Sequence, residues 1–202
     1  MVTRAVSGWG ALLGAVLLVA TASASAQTAS DFGSDPDKTM ASANDAFVKG
    51  DMKKAAAQID KAAAYVRKEA GKVAKGSKEG VTKAGDQLAK LGAGVKKGSV
   101  KSADELKKTF AQVDHALAKA WHATAEQTQK AGKDTTDALK KTGASLEGAS
   151  TWSGHQLKEG AQASVDGLKK AGKGVKLGAE DVGKFFQGLG EGIADLGQKL
   201  TG

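Results

Sequence analysis

Residues 102–125 read SADELKKTFAQVDHALAKAWHATA, and this stretch decides the fold. Leu106, Phe110, Val113, Leu117, Trp121 and Ala125 recur at steps of three and four residues. At 100° per residue those steps stack on one face of a helix, whereas a strand would alternate. The stretch opens with Ser102-Ala-Asp-Glu105, a capping-box pattern in which the serine hydroxyl and the glutamate carboxylate reciprocally satisfy donors of the first turn. The spacing predicts a well-formed helix facing a core. Trp121, and Trp152 further on, are read as core anchors rather than ligand platforms.

Toward the N-terminus the same period continues. Residues 27–36 form a polar, turn-rich leader holding the only proline, and a helix is expected from about Asp37. Met40, Ala43 and Phe47 share one face. Gly50-Asp51 then interrupts the run, and Asp51 is placed to cap a second helix carrying Met52, Ala55, Ile59, Ala62 and Val66. The pattern Gly50, Ala55, Ile59, Ala62, within residues 40–65, resembles the second half of a tetratricopeptide repeat. That resemblance implies a helical hairpin of the kind whose tandem copies bind peptides in a concave groove. Ile59, Ala62 and Tyr65 have a partial echo in Leu146, Ala149 and Trp152, so one or two related hairpins are expected within a helical domain spanning 37–153.

Two glycine-rich stretches, 72–99 and 155–200, keep helical phase. In the second, twelve apolar residues from Leu157 to Leu200 lie within about 140° of arc, and the charged residues from Lys158 to Lys199 occupy the opposite arc. The reading is one long amphipathic helix over 154–202. The ten glycines from Gly160 to Gly197 cost about 1 kcal/mol each relative to alanine, so local propensity does not hold it. It needs a surface, either a partner helix that the glycines allow to approach closely, a second copy of the chain, or a membrane interface. Val81-Thr-Lys-Ala-Gly85 with Lys90-Leu-Gly-Ala93 also parallels Leu168-Lys-Lys-Ala-Gly172 with Lys176-Leu-Gly-Ala179, as a duplication would.

The expected architecture is therefore all-α, with five or six helices in antiparallel hairpins and a long amphipathic glycine-rich C-terminal helix. Composition agrees. The 202 residues contain 27 glycines, no cysteine and only 4% aromatic residues, which suits helices with a thin, small-residue core. Without cysteine, neither disulfides nor thiolate metal sites contribute.

The first 26 residues have the parts of a cleavable secretory signal. Arg4 gives the positive start, residues 11–20 the apolar stretch, and Ala24-Ser25-Ala26 the small-x-small site. An apolar run of about ten residues is short of the roughly twenty needed to span a bilayer. The expected location is periplasmic or secreted.

The net charge of +8 is concentrated. Residues 67–101 hold ten basic and three acidic groups. For an exported protein, such a segment suits an anionic membrane or cell-wall surface before it suits nucleic acid.

No catalytic constellation is visible: no serine lies in a Gly-x-Ser-x-Gly setting, and no phosphate-binding loop follows a strand. The chain is read as no enzyme, with no cofactor. His115 and His122 share a helix face but stand about 10.5 Å apart along the axis, too far to share a metal. His122 and Glu126, with His155 as a third, are the only metal-ligand arrangement worth testing, and ordinary polar contacts explain them better. The expected role is an exported scaffold that binds a protein or peptide partner, or associates with itself through the C-terminal helix. The segment Ala125–Ala138 is also similar to the Lys/Ala/Thr/Glu-rich repeats of late-embryogenesis-abundant proteins. That resemblance implies a stress-protective chain that gains helix on drying or, like an apolipoprotein, on lipid.

Overall fold

The computed structural model describes residues 35–171 and 175–201, and these are all-helical. The elements are α1 (Asp35–Val48), α2 (Met52–Glu69), a 3-10 turn (Lys75–Ser77), α3 (Lys78–Lys96), α4 (Ala103–Lys130), α5 (Thr136–Ser153), α6 (Glu159–Lys170) and α7 (Ala179–Thr201). No described helix is long and apolar enough to cross a membrane. The signal and most of the leader lie outside the described residues.

The local signals act where they stand. Gly50 takes a left-handed φ of 79°, which only glycine adopts without strain. Asp51 then caps α2 by accepting from the Lys54 amide at 2.9 Å. Ser102 accepts from the Glu105 amide at 3.3 Å, the serine half of the capping box. All six apolar positions of the α4 stripe are buried. So are Met40, Ala43 and Phe47 of α1, and Ile59, Ala62, Leu146 and Ala149 at the paired positions of α2 and α5.

Helix α4 is the hub, packed against α1, α3, α5 and α7 around one core cluster. Both tryptophans anchor that core; Trp152 meets Phe110 edge-to-face at 5.1 Å between ring centroids. Between α2 and α3 the order of contacts is reversed along the chain. Arg67 bonds Asp86 at 2.7 Å, while Asp60 bonds Lys96 at 2.7 Å.

The expected single helix over 154–202 is instead two. α6 ends at Lys170, Val175–Gly178 are outside any helix, and α7 starts at Ala179, which makes seven α-helices among the described residues rather than five or six. One continuous helix over that span would be roughly 70 Å long and could not cover its own apolar arc. Two helices cover each other's. Val175, on the expected stripe, is consequently 53% exposed in the connection. Likewise the glycine-rich helix expected over 72–99 is confined to Lys78–Lys96, after the 3-10 turn.

Glycine sets the α6–α7 spacing. A methyl group on Gly188 would lie 2.5 Å from the Gly160 carbonyl oxygen, and one on Gly192 2.5 Å from the Ala161 β-carbon. Gly167 gives its face to the Phe185 ring, 2.6 Å from where a β-carbon would stand. The same device seats α3 on α2, where Gly85 lies on the stem of Arg67 and Gly92 against Ile59 and Asp60. Helices this close gain dispersion contacts along their backbones, which offsets their low intrinsic propensity.

Candidate functional site

The start of α1 meets α2, α4 and α5 around a cleft of about 90 Å³. Tyr65 and Glu69 come from α2, Leu117 and Trp121 from α4, and Lys140 and Lys141 from α5. The apolar floor follows from the α4 stripe. The polar wall follows from a departure in α2: Glu69 falls three residues after Val66 on the buried face, and its side chain is only 2% exposed.

A buried carboxylate needs partners. Glu69 accepts from the Lys72 ammonium at 2.6 Å and from Lys141 at 3.2 Å. Burial pushes its acidity weaker, but the bonds and charge of the two ammonium groups together outweigh that and hold the carboxyl below the usual glutamate range. Lys141 is shared. Its Nζ also stands 3.9 Å over the centroid of Trp121, a cation–π contact. The cleft thus has an apolar floor, an ammonium group held between a buried carboxylate and a buried indole, and Lys140 in its lining. It can take up an apolar side chain together with a negative or hydrogen-bond-accepting group.

The histidines are not assembled as ligands. His115 Nε2 bonds the Ile193 carbonyl at 2.8 Å and His122 Nε2 bonds the Phe186 carbonyl at 3.1 Å, both on α7. His122 Nδ1 stands 3.5 Å from Glu126. His155 lines a separate cleft with Lys107, Lys108 and Lys199, near the other end of α4. Among the described residues no group of three ligand-type side chains converges.

In the basic segment, four cations meet carboxylates: Arg67, Lys72, Lys83 and Lys96. Lys68, Lys75, Lys78, Lys90, Lys97 and Lys101 are exposed and meet no carboxylate among the described residues.

Sequence reasoning named Trp121 but passed over Glu69, Lys140 and Lys141. The signal for Glu69 was there, since a glutamate in phase with Ile59, Ala62 and Val66 is either a break in the stripe or a buried charge awaiting partners. Lys141 gave no such signal, because its partners come from two other helices. Compared with family models, with curated proteins and with solved structures, the chain matches none.

Proposed function

We propose that this chain is an exported, non-enzymatic helical scaffold that binds a protein or peptide partner in the cell envelope or outside it. The observation that carries the reading is the cleft lined by Lys140 and Lys141, where an apolar floor lies beneath an ammonium group already held in place by Glu69 and the buried Trp121 ring. Such pairs of apolar and charged anchors recognise a side chain and its neighbouring polar group at once. The reversed contact order of α2 and α3 supports reading the chain as antiparallel hairpins of tetratricopeptide-like form. The amphipathic C-terminal helices offer a second surface for self-association.

The test is site-specific photo-crosslinking in the exporting cell. A photoreactive residue at Tyr65 should give a discrete adduct in the envelope or medium fraction, and Lys141→Met should abolish it. Adducts that survive Lys141→Met, or a chain retained in the cytoplasm with residues 1–26 intact, would refute the reading.

A second reading is favoured by the six exposed lysines without carboxylate partners between Lys68 and Lys101. On it the chain docks on an anionic membrane or wall surface, as a stress-protective amphipathic protein would. Sedimentation with anionic vesicles, abolished by moderate salt and absent with zwitterionic vesicles, is its expected signature. Equal recovery with both vesicle types would dismiss it.

A further inference from the structure

A groove of about 390 Å³ lies between α3 and α4. Gln87, Lys90 and Leu91 come to it from α3, Thr109 and Gln112 from α4, and Ser99 and Val100 from the connection between the two helices. Gly94 lets that connection lie close against α3: a β-carbon there would stand 3.0 Å from Val100 and 3.1 Å from the Ser99 hydroxyl. Leu91 and Val100 are half-buried and rest on the core, so the groove has an apolar floor.

Its walls hold uncommitted hydrogen-bonding groups. The side-chain amides of Gln87 and Gln112 have no partner among the described residues. Each amide offers two donors and one acceptor. Thr109 donates to the Glu105 carbonyl and Ser99 to the Gly94 carbonyl, so both hydroxyl oxygens keep lone pairs that can accept. Positive charge flanks this lining on both helices. Lys83, Lys90 and Lys97 follow one another at seven-residue steps and fall within about 40° of arc, a row about 21 Å long. On α4, Lys108 and Lys119 fall within about 40° of Gln112 and are exposed. Lys90, Lys97, Lys108 and Lys119 meet no carboxylate among the described residues. Lys83 meets Glu79, but both side chains are exposed and solvent screens the pair.

We propose that the α3–α4 groove binds a linear, hydroxyl-rich polyanion, an acidic polysaccharide, with ring hydroxyls on Gln87, Thr109 and Gln112 and its acidic groups along the lysine rows. This deepens the second reading above and rests on its basic segment. A planar membrane would meet the outermost lysines and leave the recess unfilled. A narrow chain enters it. Sugar hydroxyls both donate and accept, which matches carboxamides and hydroxyls and exceeds what a bare anion needs. The C–H face of a sugar ring suits the floor of Leu91 and Val100. Glu105, the carboxylate in the lining, accepts from a hydroxyl and sets the acidic groups toward the lysines rather than toward itself.

The experiment is an NMR titration of the intact chain with galacturonate oligomers. Neutral dextran supplies hydroxyls without charge, polyphosphate supplies charge without sugar hydroxyls, and phosphatidylglycerol vesicles supply a flat anionic surface. Galacturonate should saturate, with shifts confined to residues 87–100 and 105–112, and dextran should not bind. Gln87→Ala with Gln112→Ala should weaken galacturonate about tenfold and leave polyphosphate unchanged. Lys90→Gln with Lys97→Gln should weaken both anions, whereas Lys130→Gln with Lys133→Gln, an equal loss of charge at the far end of α4, should weaken neither. Shifts centred outside the groove, equal losses for both anions in the glutamine pair, or an equal loss in the control pair overturns the proposal. Vesicle binding without galacturonate binding also overturns it but leaves the second reading standing; binding to neither refutes both. The shift map of the natural chain decides even where a variant does not fold.

Discussion

Asp37 of α1 and Asp114 of α4 converge on Gly148 of α5: a methyl group there would lie 3.0 Å from Asp37 Oδ1 and 2.5 Å from Asp114 Oδ2. Asp114 is fully buried and accepts from the Trp152 indole. Burial first, then the charge and hydrogen bond of Asp37, push its carboxyl well above the usual aspartate range, and Trp152 opposes this only in part. The folded state therefore holds a proton that the unfolded chain releases near pH 3.8. Stability contributed by this pair is fullest in acid and falls as pH rises above that value. Asp114→Asn can accept from Trp152 and donate to Asp37 without a charge. It should raise stability at pH 7 by on the order of 1 kcal/mol and flatten the decline above pH 4 in denaturant titrations. Gly148→Ala should do the reverse, costing about 1–3 kcal/mol by overpacking.

The α6–α7 glycines divide into two kinds, and one substitution of each tells them apart. Nothing lies within 4 Å of a β-carbon placed on Gly183, whereas one on Gly188 meets the Gly160 backbone. Gly183→Ala should stabilise α7 by about 0.5–1 kcal/mol through lower chain entropy. Gly188→Ala should cost about 1–3 kcal/mol, because backbone cannot give way as a flexible side chain can. Thermal melts of the two variants should shift in opposite directions. A shift in the same direction would mean that propensity, not close approach, governs this helix.

Much of this fold is legible in the sequence because its signals are local. The Gly50-Asp51 break and the Ser102 cap each involve residues within one or two turns, and the α4 stripe is built of steps of three or four residues. The break at Val175–Gly178 is not legible, because the apolar residues on both sides keep one helical phase; a chain that folds back and one that runs on carry the same period. What decides between them is whether the arc finds a cover, and that cover is α6 against α7 with α4 and α5 beneath. The candidate site divides the same way. Trp121 follows from its stripe, but Glu69 and Lys141 acquire meaning only when α2, α4 and α5 meet. The seven-residue steps of His115 and His122, and of Phe186 and Ile193, are visible in the chain, yet only tertiary register joins them.

The two caps should contribute unequally. Asp51 holds the Lys54 amide at 2.9 Å, while Ser102 holds the Glu105 amide at 3.3 Å. Asp51→Ala should cost about 1 kcal/mol, and Ser102→Ala less. α4 is also secured by the core along its whole stripe, so its first turn frays without loosening the hub. Chemical denaturation midpoints would show the order, and a larger loss from Ser102→Ala would contradict it.

Glu69 is where stability and the proposed site meet, so its removal should be read at two pH values. Glu69→Gln keeps the shape but leaves Lys72 and Lys141 without their carboxylate. Both ammonium groups are more than a third exposed, so solvent screens the pair, and the loss at pH 7 should be about 1–2 kcal/mol. The folded-state acidity of Glu69 is stronger than the ordinary 4.5, so its stabilisation is present above that pH and disappears as pH falls through the lowered value. Natural chain and variant should therefore converge in melts once the pH lies below that lowered value. A gap that persisted there would mean that Glu69 acts by packing rather than by charge. Lys141→Met supplies the complementary readout: with the ammonium gone from the Trp121 ring, tryptophan emission should shift while the α4 stripe stays buried. The cleft would then lose its charged anchor and keep its apolar floor, which is the state in which the proposed partner should no longer be held.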